Sequence, residues 1–288
     1  MATTPDNDDL DDDFERAAGQ IEAPLASLVG DYEEVDPSDA SAPRARGVYL
    51  LPNLFTTGAL FAGFYGVVAS MQGDFYSGAV AIFVAMVFDG LDGRIARMTN
   101  TTSAFGAEYD SMADMVSFGV APGLLVFNWA LYDLGKLGWV AAFIYTACAA
   151  LRLARFNTEI GTNDGSYFSG LASPAAAALA AGSVWVGQNE GLDAASQPLS
   201  VIYAVLLILL GFLMIANLRY YSFKKMNLEG RVPFVRILLL LALVGLVALD
   251  PPIMLWLLFL AYALSGPAQH FRYRRAERQA REAQDNEQ

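Results

Sequence analysis

The chain has 288 residues, of which 55% are hydrophobic and only 17% charged, and its mean hydropathy is positive at +0.36. Soluble domains carry roughly 25% charged residues, so an ordinary water-soluble enzyme is excluded. The net charge of −12 belongs mostly to one end: residues 1–46 hold thirteen acids against three bases, while the other 242 residues hold seventeen against fifteen. One Cys (Cys148) and one His (His270) leave no intramolecular disulfide, zinc cluster or Cys/His nucleophilic pair. Any metal must therefore be a hard cation held by oxygen.

Residues 1–46 have few large apolar side chains and carry a run of aspartates from Asp6 to Asp13. Such a segment cannot bury enough surface to offset its ordering entropy, so a disordered acidic tail is expected. It has no basic region followed by an apolar stretch, so a secretory signal is not expected there.

Beyond the tail, apolar runs alternate with polar breaks. About eight spans are expected, near 52–71, 75–97, 104–130, 138–156, 173–188, 199–218, 233–249 and 252–268, each close to the ~20 residues that cross a bilayer. The predicted fold is an all-α polytopic transmembrane helix bundle over residues 47–270, followed by a basic-to-polar tail at 271–288. With eight spans, Arg44, Arg46, Arg94, Arg97, Arg152 and Arg155 and the tail arginines fall on one side, and Lys136 stands on the other with Asp74, Asp133, Glu190, Asp193 and Asp250. The positive-inside rule then predicts an integral protein of the cytoplasmic membrane with both termini cytoplasmic.

The second and third spans carry the chemistry. Asp89 and Asp92 are i,i+3 neighbours, and Asp110 and Asp114 are i,i+4 neighbours. Each pair therefore shares a helix face. A short connection between the spans would fold them as a hairpin and bring four carboxylates together near the membrane surface. Without cations such a cluster repels itself and pays desolvation. Two Mg²⁺ or Mn²⁺ ions would remove that cost and would suit a phosphate-bearing substrate. Gly93 and Gly106 remove side-chain bulk beside the carboxylates. Arg94 and Arg97 suit phosphate oxygens. An ion-coupled transporter is the reading from another class. It calls for carboxylates near the bilayer midplane and for inverted repeats, and the sequence has neither.

The run Asp89-x2-Asp92-Gly93-x2-Ala96-Arg97-x8-Gly106-x3-Asp110-x3-Asp114 resembles the signature of the CDP-alcohol phosphotransferase family at every fixed position. The stretches 50–64, 105–123, 150–157, 167–178 and 217–234 look like the phosphatidylserine synthase branch, with Ala172 standing where that branch suggests proline. The resemblance implies a core of six transmembrane helices, two divalent cations and a homodimer. It implies transfer of a phosphatidyl group from CDP-diacylglycerol to the hydroxyl of L-serine, releasing CMP; no nucleic-acid partner is expected. By matching position, Asp89, Asp92 and Asp110 are expected to be metal ligands and Asp114 both ligand and general base. Gly93, Ala96, Arg97 and Gly106 are expected to cradle the nucleotide, with Asn53 and Thr56 completing that site. Arg152 and Arg155, an i,i+3 pair, are the candidates for the acceptor or the diphosphate. The same chemistry with glycerol 3-phosphate or an inositol phosphate as acceptor stays open.

Overall fold

The computed structural model describes residues 45–99, 103–159, 167–194, 196–221 and 234–286. Residues 1–44 of the tail expected at 1–46 lie outside the described residues, as do the basic residues Lys224, Lys225 and Arg231, while Ala45 and Arg46 begin the first helix. Gly47–Gln288 forms one compact unit.

The unit is a helix bundle. Helix α1 (Ala45–Met71) contains Pro52 and is followed by α2 (Phe75–Thr99). Between them Gly73 turns the chain with φ of +79°. The Asp74 carboxylate accepts from the Ser77 N–H at 3.1 Å, and this bonding holds its carboxyl below the ordinary carboxylate range. The spaced small residues of α1 allow close approach: a Cβ on Gly66 would stand 3.2 Å from the carbonyl of Gly78, and one on Gly63 would run into Ser117.

The third span runs from Phe105 to Leu134 and is not a uniform α-helix. It comprises α3 (Ala104–Asp114), a π-helical segment (Met115–Val120), α4 (Ala121–Val126), a second π-helical segment (Phe127–Leu131) and a closing 3₁₀ turn (Tyr132–Leu134). The first π-helical segment begins one residue after Asp114. Its carbonyls have partners outside the helix: the Tyr145 hydroxyl donates to Phe118 O at 2.9 Å, and Thr146 Oγ1 donates to Gly119 O at 3.2 Å. Both donors lie on α5 (Lys136–Glu159).

Helix α6 (Ser173–Asn189) is the central strut. It packs against α2, α4 and α5, and Ala175–Ala178, Ala180 and Ala181 are all buried. Small side chains on every face let neighbours approach from all sides. Helix α7 (Gln197–Ile215) packs along α5. Then come α8 (Phe234–Leu249) and α9 (Pro251–Asn286), which returns along α6. Helix α9 continues unbroken past residue 270, so the expected tail at 271–286 is part of it.

Five of these segments are long and apolar enough to cross a membrane: α1, the Phe105–Leu134 span, α5, α7 and the first part of α9. Helices α6 and α8 sit where spans are expected but have 17 and 16 residues, and α2 carries its charges at one end. The bundle is the polytopic membrane fold expected from composition.

One departure concerns the sixth span, expected to reach residue 218. Helix α7 stops at Ile215 because the chain turns extended at Ala216 and forms β2 (Arg219–Tyr221). This strand pairs antiparallel with β1 (Tyr167–Ser169), with Phe168 opposite Tyr220. Gly170, at φ +86°, turns the chain out of β1, and its N–H donates to Leu218 O at 2.9 Å. Tyr220 is fully buried and donates to the carbonyl of Ala263 on α9 at 3.0 Å. Burial pushes its phenol up to about 12, so it remains a donor.

Candidate active site

Helices α2 and α3 bring together what the i,i+3 and i,i+4 spacing placed on single faces. Carboxylate oxygens of Asp89, Asp92 and Asp110 all lie within 4.8 Å of one another. Asp92 is buried, at 4% exposure, and Asp89, Asp110 and Asp114 are half-buried. Asp114 stands one turn beyond Asp110, beside Asp89 and outside the trio. Close carboxylates in a partly desolvated setting repel one another. An all-oxygen donor set of this kind fits a hard divalent cation, and the trio could hold one.

Helix α1 closes the cluster from one side. Thr56 Oγ1 lies 2.8 Å from Asp92 Oδ2 and 3.1 Å from its own-helix carbonyl at Pro52. Its single proton serves the carboxylate at the shorter distance. Thr57 Oγ1 is hydrogen-bonded to the Tyr109 hydroxyl at 2.9 Å, tying α1 to α3. Asn53 is half-buried, and its Oδ1 comes 3.7 Å from the place a Cβ on Gly106 would occupy. Ser103 caps α3 by accepting from the Gly106 N–H at 3.0 Å.

The remaining expected residues divide. A Cβ on Gly93 would meet no heavy atom within 4 Å, so the surface of α2 beside Asp92 is open. Ala96 is half-buried one turn further along α2. Arg97 is exposed and folds back on its own helix, its Nε donating to Gly93 O at 2.8 Å. Arg152 faces the cluster from α5, within electrostatic reach of Asp114 and Asp89, and its Nη1 donates to Ser173 Oγ at the start of α6. Arg155 turns elsewhere: its Nη1 donates to Asn217 Oδ1 at 2.7 Å. The i,i+3 pair therefore parts, Arg152 toward the carboxylates and Arg155 toward the chain after α7.

Spacing could not reveal Ser173, Asn217 or Tyr109 as partners. Ser173 is 21 residues from Arg152, and Asn217 is 62 from Arg155. Only the packing of α5 against α6 and α7 brings them together.

A family model described as CDP-alcohol phosphatidyltransferase matches residues 49–213, the stretch from α1 to near the end of α7 that contains all four aspartates. The chain belongs to this family. Six helical segments fall in the match, namely α1, α2, the Phe105–Leu134 span, α5, α6 and α7, and four of them are long and apolar enough to cross a membrane. Among curated relatives, CDP-diacylglycerol–serine O-phosphatidyltransferase of Helicobacter pylori (strain 26695) is 36% identical over 218 residues, 75% of this chain and 90% of the relative. The protein of the same name from Methanocaldococcus jannaschii is 36% identical over 191 residues, 66% of this chain and 83% of the relative. That from Bacillus subtilis is 38% identical over 109 residues, 38% of this chain and 62% of the relative. A polytopic membrane transferase of the phosphatidyltransferase class is thus the chain's family identity. Helices α8 and α9 lie outside the matched residues.

Proposed function

We propose that this protein transfers the phosphatidyl group of CDP-diacylglycerol to the hydroxyl of L-serine, giving phosphatidylserine and CMP. The observation that carries this reading is the close set of Asp89, Asp92 and Asp110 carboxylates with Asp114 beside it, inside a family-matched membrane bundle. Serine as acceptor is supported by the names of the relatives that cover most of the chain.

Asp89, Asp92 and Asp110 would hold Mg²⁺ or Mn²⁺, with Asp114 available as a further ligand. Bound there, such ions supply neutralisation of the diphosphate and of the charge that develops on departing CMP. Asp114 takes the proton of the serine hydroxyl as its oxygen attacks the phosphorus that bears diacylglycerol. The new P–O bond forms on one side of that phosphorus while the anhydride bond breaks on the other. CMP leaves with the bonding electron pair. A carboxylate is a weak base toward an alcohol, so proton removal accompanies bond formation and depends on placement more than on affinity for the proton. No covalent enzyme intermediate is required: among the described residues the cluster offers carboxylates and Arg152 but no activated Ser, Cys or Lys nucleophile.

The open backbone at Gly93, with Ala96, Gly106, Asn53 and Thr56 around it, would cradle the nucleotide. Arg97 would reach its phosphates by leaving the Gly93 carbonyl. Arg152 would bind the acceptor carboxylate or the diphosphate from the opposite side, and Arg155 would support the same pocket through Asn217. The protein would work as a homodimer in the cytoplasmic membrane with the cluster facing the cytoplasm, supported by the one-sided distribution of arginines. Residues 1–46 and 271–288 would be tails on a catalytic domain spanning 47–270.

The test is CMP release by purified protein from CDP-diacylglycerol with Mg²⁺ or Mn²⁺, comparing L-serine, glycerol 3-phosphate and inositol phosphate. Serine-dependent release abolished by EDTA is expected. Release with another acceptor alone overturns serine, and release with none overturns the reaction.

A further inference from the structure

Helices α1 and α2 flank an open groove of about 520 Å³, lined among others by Gly58, Phe61, Tyr65, Tyr76, Val84 and Phe88. The end nearer the carboxylates is lined by Gly58 and Phe88. Phe88 stands one turn before Asp92 on the same face of α2, and Gly58 packs against it from α1, two residues along from Thr56, which is bonded to Asp92. The other end lies near the α1–α2 turn, where Tyr65 and Tyr76 place the phenols of the lining. Between them the walls are apolar. From Tyr76 to Phe88 the cavity follows α2 for about 18 Å at 1.5 Å per residue. That is close to one leaflet, half of a hydrocarbon core of about 30 Å. Phe61, Tyr65, Tyr76 and Val84 are also open to the outside of the bundle, so the cavity can fill sideways from lipid.

We propose that this α1–α2 groove holds one acyl chain of the CDP-linked lipid and that Tyr65 and Tyr76 set the chain length it prefers. The proposal rests on the functional reading above. A lipid whose diphosphate sits at the aspartates must carry its glycerol and chains away from them, and the groove is an apolar path whose near end lies one helical turn from Asp92. Gly58 leaves room for the Phe88 ring at this end of the groove: a Cβ here would stand 3.0 Å from that ring, which would then have to shift. A chain that fills the apolar stretch is accommodated. A longer one must displace or desolvate the two phenols at the far end, which carries a cost.

The experiment compares kcat/KM for CDP-diacylglycerols of eight-carbon and sixteen-carbon chains in the wild type, in Val84→Trp, which narrows the groove midway, and in Tyr76→Ala, which lengthens it. Phe64→Trp, on the exposed face of α1 beside the groove, serves as control. Val84→Trp should lower the long-to-short ratio by about tenfold through crowding, and Tyr76→Ala should shift the optimum to longer chains. Phe64→Trp should keep the wild-type profile. Wild-type turnover with an unchanged length profile in both groove variants overturns the proposal alone. A wild type that releases no CMP from a lipid of any length overturns the functional reading and the proposal with it. Should the variants fail to fold, CDP-diacylglycerol with a diazirine at the terminal acyl carbon keeps the question open to the wild-type protein. Labelling of Tyr65 or Tyr76 supports the assignment; labelling confined to other helices, or crosslinking of Phe61 to a second copy of the chain, overturns it.

Discussion

Thr56 and Asp92 sit on different helices, 36 residues apart, with the hydroxyl oxygen 2.8 Å from Asp92 Oδ2 and both residues buried. This bond fixes the orientation of one carboxylate in the cluster that Asp92 shares with Asp89 and Asp110. Partners that orient a metal-binding carboxylate typically change affinity by about 10–100-fold when removed. Thr56→Val should therefore raise the Mn²⁺ concentration for half-maximal CMP release by about tenfold or more, and Thr56→Ser should restore most of it. An unchanged metal requirement in a folded Thr56→Val protein would show that Asp92 is oriented without the hydroxyl.

Asp114 stands outside the 4.8 Å trio, beside Asp89 and within reach of Arg152. That position suits a group that meets the acceptor rather than one that only holds metal. Asp114→Asn keeps the shape and loses the proton acceptor. CMP release should fall by at least about a hundredfold, the lower end of what a positioned general base contributes. Binding of CDP-diacylglycerol, followed by retention on a lipid-loaded column or by protection against unfolding, should persist. Asp110→Asn should instead weaken both turnover and metal-dependent binding.

The part of the site legible in the sequence is the part fixed by local geometry. Asp89 with Asp92 and Asp110 with Asp114 share helix faces by spacing alone, and a short connection forces the two faces together. The membrane bundle is legible for a similar reason, since runs of about twenty apolar residues have few alternatives to crossing a bilayer, and five of the eight expected spans are long and apolar enough to do so. What depends on packing between distant segments was not. Nothing within a few residues of Arg152 announces Ser173. Nothing in 199–218 signals that the helix stops at Ile215, because the strand that replaces it is selected by pairing with 167–169. The π-helical segment after Asp114 has no short-range signature either; its freed carbonyls are tolerated because Tyr145 and Thr146 arrive from α5.

Arg152 donates to Ser173 and faces Asp114 and Asp89, whereas Arg155 is engaged with Asn217. Only the first is placed to bind an anion at the cluster. A lysine keeps the charge but loses the planar fork that can hold Ser173 and a carboxylate together. Arg152→Lys should raise the KM for serine by about tenfold while changing the KM for CDP-diacylglycerol much less. Arg155→Lys should shift both KM values less than Arg152→Lys does, since a lysine ammonium can still donate to the Asn217 amide oxygen. A rise in the KM for CDP-diacylglycerol with that for serine little changed would assign the guanidinium to the diphosphate instead.

Tyr220 and Gly266 test the link between β2 and α9. The Tyr220 ring lies over Gly266, occupying the space a Cβ there would need, while its hydroxyl is held by the Ala263 carbonyl at 3.0 Å. Alanine in a helix interior is usually favoured over glycine by up to about 1 kcal/mol. Here the ring cannot swing away without losing its hydrogen bond inside a buried site, so crowding of about 1–3 kcal/mol should win. Gly266→Ala should lower the thermal midpoint in detergent, read by intrinsic fluorescence. Tyr220→Phe, which loses only the bond to Ala263, should lower it less, by about 1 kcal/mol in stability. Combining Gly266→Ala with Tyr220→Leu, which removes the ring from above the glycine, should cost less than the two single changes added together, because one relieves the clash created by the other. A higher midpoint for Gly266→Ala would mean that helix propensity outweighs the contact and that the β2–α9 seam is loose.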